Sequence, residues 1–204
     1  MIMNNVVKEE CIVQSCNKPM LAKGYCNKHY KQIRAHGKIG RTKYDPNEIN
    51  ITTDRAEIKL YNSKGEEIAL CLIDIEDVDV IKNHKWCYKD GYAITKKDGR
   101  TTAMHRLIMN PLDNMVVDHV NHNTLDNRKS NLRVCTAKEN NRNLSNVEGV
   151  YYRKTRKSWK AKITVDGKSI YLGTYKTKSE AKRARRIGEI KYFGEFAPVR
   201  SDAI

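Results

Sequence analysis

Apolar and polar residues alternate over short stretches through most of this chain, which predicts many small elements rather than a few long ones. Ile58-Lys59-Leu60 and Glu67 to Ile73 alternate as strands about a turn at Asn62-Ser63-Lys64-Gly65. Asp77 to Asn83 predicts one or two helical turns. Trp86-Cys87-Tyr88 and Tyr92-Ala93-Ile94 predict a hairpin about Lys89-Asp90-Gly91, with Trp86 in the core. A further turn at Lys97-Asp98-Gly99 leads to Thr101 to Met104 and then to His105-Arg106-Leu107-Ile108. Arg41 to Asn50, with Pro46, reads as a linker. Cys71, Cys87 and Cys135 lie singly in apolar strand patterns and are expected as small core residues.

Between Val117 and Asn143 the pattern turns polar. Met115-Val116-Val117 predicts a strand ending at Asp118, and Leu132 to Cys135 predicts a second. The segment between them is rich in Asn and Asp, which bond their own backbone and favour turns. Thr136 stands three residues before Glu139, a capping-box signal for a helix carrying Asn140 on its first turn. Strand, loop, strand and helix bring Asp118, His119 and Asn140 towards one crevice. Asn121, His122 and Asn123 read as turn residues. The chemistry of Asp118, His119 and Asn140 suits metal-assisted hydrolysis. A hard cation such as magnesium needs only one carboxylate and one amide oxygen beside its waters, and a neighbouring imidazole can deprotonate an attacking water.

The last third predicts three strands and a helix. The strands are Gly149 to Lys154, Ser158 to Val165 and Lys168 to Tyr175, with a hairpin turn at Asp166-Gly167. Thr177 and Glu180 form a second capping box, and the helix runs to about Phe193 before Gly194. Period two places Trp159, Ala161, Ile163 and Val165 on one sheet face, and Lys160, Lys162 and Thr164 on the other. On the helix, Ala181, Ala184 and Gly188 form a face small enough to approach the sheet. Lys182, Arg183, Arg185 and Arg186 are expected opposite.

Composition adds a partner. The 204 residues carry a net charge of +15, which points to a polyanion such as nucleic acid or an anionic membrane. From Gly149 to Arg200, 15 Lys and Arg stand against 4 Asp and Glu, so this module holds +11 of the total. The strand faces lack the several aromatics expected for stacking single-stranded RNA bases, which favours DNA. No apolar run is long enough to span a membrane and no signal-peptide pattern opens the chain, so a soluble cytoplasmic protein is expected.

Near the start, Cys11-x4-Cys16 and Cys26-x2-His29 are separated by nine residues. Two close pairs of thiolate and imidazole ligands are what tetrahedral zinc needs, and so short a segment could hardly fold without a staple. His36 is an alternative fourth ligand, although the two-residue spacing favours His29. Gly24 permits the turn before the second pair, and Asn27 to His36 predicts a helix completing a treble-clef-like knuckle.

The central motif resembles the HNH nucleases of phage and intron homing endonucleases. Asp118-His119 is followed by Asn131 twelve residues after that His and Asn140 nine further on. His105-Arg106-Leu107, Asp126-Asn127-Arg128 and Asn131-Leu132-Arg133 resemble the same branch. The resemblance implies that Asp118 and Asn140 hold magnesium or manganese, that His119 is the general base, and that Asn131 orients the His loop. His105 is either a structural hydrogen-bonding residue or a neighbour of the metal. Asp and Asn at the ligand positions imply a magnesium-type rather than a zinc-type centre.

The terminal segment resembles the plant ethylene-response-factor (apetala-type) DNA-binding domain, through Gly149-Val150, Trp159, Ala161, Ile163, Leu172-Gly173, Glu180-Ala181, Ala184 and Phe193-Gly194. The resemblance implies that Tyr151, Arg153, Lys160, Lys162, Thr164 and Tyr171 enter the major groove of double-stranded DNA. The expected architecture is therefore α+β. It comprises a zinc knuckle at 1–40, a ββα-metal (HNH, His-Me finger) nuclease domain at 51–145, and a three-stranded antiparallel sheet packed on one helix at 146–199. The expected protein is a monomeric homing endonuclease acting in a bacterial or phage-infected cell. The rival reading is a DNA-binding regulator on an inactive HNH scaffold.

Overall fold

The computed structural model describes residues 9–14, 16–42, 45–144 and 148–199. The chain divides into two compact units, residues 1–45 with 61–67 and residues 46–60 with 68–204. The first unit is folded by two isolated antiparallel bridges, Glu10 with Pro19 and Ala22 with Tyr25, ahead of helix α1 (Asn27–His36). Cys26 is its extended N-cap. Gly37 ends it at φ 68°, returning its N–H to the Ile33 carbonyl, a left-handed cap that glycine adopts without strain.

Strands β1 (Ile49–Ile51), β2 (Ala56–Tyr61) and β3 (Glu67–Ile73), which but for the end residues Tyr61 and Glu67 lie in the second unit, form an antiparallel pair of β1 and β2 with β3 beyond β2. Strand β1 corrects the linker reading of Arg41 to Asn50: Ile49 pairs with Ile58, so the last residues of that stretch join the sheet. After a short 3-10 turn, α2 (Val78–Ile81) leads to the meander β4 (Cys87–Lys89), β5 (Tyr92–Lys97) and β6 (Arg100–Ala103). Alternation in β2 buries Ala56, Ile58 and Leu60, which pack with Cys71, Ile73, Ile81, Trp86, Ala93 and Met104 in the main core. Trp86 is buried, and its indole N–H reaches the Ile81 carbonyl at 3.0 Å. Cys87 is exposed, contrary to expectation, because β4 is an edge strand with no face covered.

Met104–Met109 forms α3. Asn110, left-handed at φ 42°, and Pro111 stop it. The hairpin β7 (Val116–His119) and β8 (Leu132–Cys135) follows, with Asp118 opposite Arg133 and His119 opposite Leu132. Helix α4 (Ala137–Asn140) opens with the complete capping box of Thr136 and Glu139 and runs into a 3-10 turn, Asn141–Asn143. The loop between β7 and β8 is stitched to β3: Leu72 N–H bonds the Leu125 carbonyl and Asn127 N–H bonds the Leu72 carbonyl, each at 2.8 Å.

The boundary expected between residues 145 and 146 lies outside the described residues; the segments on either side of it both belong to the second unit. Strands β9 (Val150–Arg153), β10 (Ser158–Val165) and β11 (Lys168–Tyr175) form an antiparallel sheet with β10 central. Helix α5 (Lys178–Phe193) starts at a Thr177–Glu180 capping box. Val150, Ala161 and Ala181 are its buried contacts with the sheet, and a Cβ on Gly188 would come within 2.8 Å of Leu172. Arg185 corrects one expectation. Four residues from Ala181, it shares the inward face, and its buried side chain donates to Glu189 Oε1 at 2.9 Å and the Lys162 carbonyl at 2.6 Å.

Candidate nuclease centre

Asp118 and His119 close strand β7 and are both buried. A buried carboxylate needs donors, and Asp118 has them. Arg133, its register partner on β8, donates from Nε and Nη2 to Oδ2 at 2.8 and 2.5 Å. Asn143, from the turn after α4, donates Nδ2 to both carboxylate oxygens at 3.0 Å and to the His119 carbonyl at 3.2 Å.

His119 is oriented by a relay of buried side chains. Its Nε2 lies 3.3 Å from Asn127 Oδ1, while Asn127 Nδ2 donates to Cys71 Sγ at 2.9 Å. The thiol of Cys71 faces Met104 Sδ at 3.4 Å, and burial pushes its pKa up to about 12, so it remains neutral. With the amide oxygen turned to Nε2, that nitrogen carries the proton and Nδ1 keeps the lone pair. Burial lowers the His119 pKa against the opposing pull of Asn127, Asp118 and Asp126. The imidazole is therefore neutral at neutral pH.

Asn131 spans the loop. Its Oδ1 accepts from the Asn121 N–H at 3.0 Å and its Nδ2 donates to the Asp126 carbonyl at 2.8 Å. Asp126 is itself pinned by both sides of the Arg128 guanidinium, at 2.7 and 2.8 Å. His105, at the start of α3, stands edge-on to His119 with ring centroids 5.0 Å apart, and Tyr92 meets both rings at 5.5 and 6.1 Å. Burial, then the neighbouring His119 and Arg106, lower the His105 pKa to about 4. His105 and Tyr92 line an open cavity of about 370 Å³ with Lys89, Thr101 and Val117.

The donor set at Asp118 fits a hard cation. The side-chain Oδ1 of Asn143 is buried and has no hydrogen-bond partner among the described residues. An amide so placed beside a carboxylate can turn its oxygen inward when a cation sits between them, giving one carboxylate and one amide oxygen as ligands. Asn140, the residue expected there, is half-buried at the end of α4, and its side chain makes no hydrogen bond among the described residues. Asn143 and Asn127 were both passed over as site residues. Each lay in plain view, in Asn-Asn-Arg-Asn and Asp-Asn-Arg, but nothing in a run of asparagines says which one turns inward.

A second cluster lies in the first unit. Cys11, Cys16, Cys26 and His29 bring their ligand atoms within 4.8 Å of one another, a group that can hold zinc. Cys11 Sγ lies 3.2 Å and Cys26 Sγ 3.6 Å from His29 Nδ1, and Cys16 Sγ lies 3.8 Å from Cys26 Sγ. Bonds of about 2.3 Å to sulfur and 2.1 Å to nitrogen give tetrahedral edges of roughly 3.6–3.8 Å, close to these separations. Burial lowers the His29 pKa, keeping its imidazole neutral as a ligand must be.

On the terminal sheet, Tyr151, Lys160, Lys162 and Tyr171 share the face away from α5. Lys160 Nζ lies 5.4 Å from the Tyr171 ring centroid and Lys162 Nζ 5.0 Å from that of Tyr151. Both tyrosines are at least half exposed, at 50% and 59%. Arg153 on β9 is half-buried and Thr164 on β10 exposed. No helix among the described residues is long and apolar enough to cross a membrane.

Comparison with known proteins places a name on the central segment. Residues 110–142 match the family model described as HNH endonuclease. The chain carries an HNH endonuclease domain. Over 136 residues it is 29% identical to an uncharacterised HNH endonuclease of Acanthamoeba polyphaga mimivirus, covering 61% of this chain and 71% of that protein. No solved structure matches it. The domain is that of a nuclease enzyme, and it contains Asp118, His119, Asn127, Asn131 and Asn140, whereas Asn143 falls one residue beyond the matched segment.

Burying His105 as a neutral ring has a consequence for stability. Its pKa in the unfolded chain is near 6.5 and in the fold about 4, so between those values only the unfolded chain binds the proton. The contribution is complete above about pH 6.5 and is lost as pH falls through about 4. Denaturant titrations should show stability falling across this window, and less steeply in His105→Gln. Equal pH slopes for the two proteins would locate the titration elsewhere.

Proposed function

We propose that this chain is a homing-type DNA endonuclease in which Asp118 holds a single magnesium or manganese ion and His119 is the general base. The observation that carries the reading is the juxtaposition of a buried carboxylate, an unsatisfied amide oxygen and a neutral imidazole with a free Nδ1. Strands β7 and β8 with α4 would be the ββα-metal unit. Asn143, whose amide already touches Asp118, is the better-supported second ligand, with Asn140 as the alternative. A bound cation would polarise a phosphoryl oxygen and steady the leaving oxygen. His119 accepts the proton of the attacking water at Nδ1, and Asn131 and Asn127 keep the ring aimed. His105 walls the pocket behind it as a neutral ring.

The terminal sheet would supply the grip on double-stranded DNA, in the manner of an apetala-type domain. Tyr151, Arg153, Lys160, Lys162, Thr164 and Tyr171 lie on strands of a sheet whose other face is covered by α5. Lysines at this face neutralise phosphates, and tyrosines offer flat apolar edges to the groove. In the first unit, Cys11, Cys16, Cys26 and His29 would hold a structural zinc. A monomer acting in a bacterial or phage-infected cell is the simplest form of this protein.

His119→Ala and Asp118→Ala should each reduce magnesium-dependent cleavage of supercoiled plasmid by at least about 100-fold, with DNA affinity nearly unchanged. Because burial holds the pKa of this base below the ordinary histidine value, the wild-type rate should be level at neutral pH and fall only on acidification. Equal cleavage by wild type and His119→Ala would end this mechanism, whereas DNA binding without magnesium-dependent cleavage by the wild type would support the regulator reading.

Protein purified under reducing conditions should carry one zinc per chain by metal analysis. Cys26→Ser should lose it and unfold the first unit alone, since zinc supplies that segment's folding energy. Zinc-free protein with the first unit still folded would refute the assignment.

A further inference from the structure

Arg133 stands between the carboxylate of the nuclease centre and the end of the last helix. Its Nε and Nη2 grip Oδ2 of Asp118 at 2.8 and 2.5 Å. The remaining terminal nitrogen, Nη1, turns away and donates to the carbonyl of Glu195. The guanidinium carbon lies 4.6 Å from the ring centroid of Phe196. Glu195 and Phe196 belong to the 3-10 turn Gly194–Phe196 that follows α5. One side chain thus touches the nuclease centre at one end and the terminal module at the other, and its own exposure is only 14%.

The geometry of the fork gives this contact a consequence. A free guanidinium takes a carboxylate with two parallel bonds, one to each oxygen. With Nη1 held by Glu195 and the plane held by Phe196, Arg133 reaches only Oδ2. Among the described residues Oδ1 is left with a single donor, Asn143 Nδ2, whose bond is shared with Oδ2 and whose own amide oxygen has no partner.

We propose that Arg133 is a positioning residue, anchored by the Glu195 carbonyl and the Phe196 ring so that Oδ1 of Asp118 stays open to a divalent cation. The terminal module then completes the nuclease centre as well as gripping DNA. This rests on the reading of Asp118 as the metal-holding carboxylate. A guanidinium released from its anchor rotates onto both oxygens and competes with the cation for Oδ1.

The test uses the full-length protein and two substitutions at half-buried Phe196, which leave the buried ion pair itself intact. Phe196→Leu keeps bulk and removes the aromatic face; Phe196→Tyr keeps both. Manganese binding is read directly, from the free-ion signal in electron paramagnetic resonance, beside plasmid cleavage and DNA affinity in metal-free buffer. Losing the aromatic contact should weaken manganese binding about two- to fivefold, the size of a partly buried cation–π contact. The manganese concentration for half-maximal cleavage should rise in parallel, with DNA affinity unchanged and Phe196→Tyr like the wild type. Wild-type manganese affinity in folded Phe196→Leu, or tighter binding, would overturn the inference. Loss confined to DNA affinity would overturn it too. Wild-type protein that neither binds manganese nor cleaves would overturn the metal reading first, and this inference with it.

Discussion

A carboxylate removed from water must be matched by donors, and in this protein the matching of Asp118 draws together three separate parts of the second unit. Its register partner on β8 supplies Arg133, the turn after α4 supplies Asn143, and the turn after α5 holds Arg133 from behind. Leaving such a charge without its partners costs on the order of 3–5 kcal/mol, a large share of the stability of a domain this size. The β7–β8 register is therefore constrained by charge as well as by backbone bonding. A slip of one residue would put Arg133 on the wrong face and leave Asp118 unpaired.

The histidine next to it obeys a different constraint. His119 is kept neutral by burial and held in one tautomer by a hydrogen bond. Asn127 fixes the proton on Nε2, and the thiol of Cys71 fixes Asn127 in turn. Asn131 and the Asp126–Arg128 pair brace the loop that passes over this relay, while backbone bonds to β3 tie the loop to the main core. A polar loop of a dozen residues is ordinarily a mobile one. Here its own side chains tie the loop down beside His119.

Strong local signals were legible in the sequence. Both capping boxes, the Asp166-Gly167 turn, the three terminal strands and the helix before Gly37 stand where period and turn chemistry put them. The Cys and His spacing likewise foretold a cluster that closes in space. What escaped depended on partners distant in sequence. Strand β1 forms because Ile49 meets Ile58, α3 forms on an apolar run too short for its period to decide, and Arg185 turns inward because Glu189 and the Lys162 carbonyl await it. Spacing singled out Asn140, and only the fold shows that Asn143 reaches the carboxylate.

In the proposed nuclease, Asp118 and the amide oxygen of Asn143 would together form a divalent-cation site. Anomalous diffraction from crystals of the protein with manganese and duplex DNA tests it most directly. A manganese peak within coordinating distance of Asp118 Oδ1 is expected, with the Asn143 amide turned so that its oxygen is a ligand. A peak bound elsewhere, with Asn143 Nδ2 still donating to an uncoordinated Asp118, would contradict it.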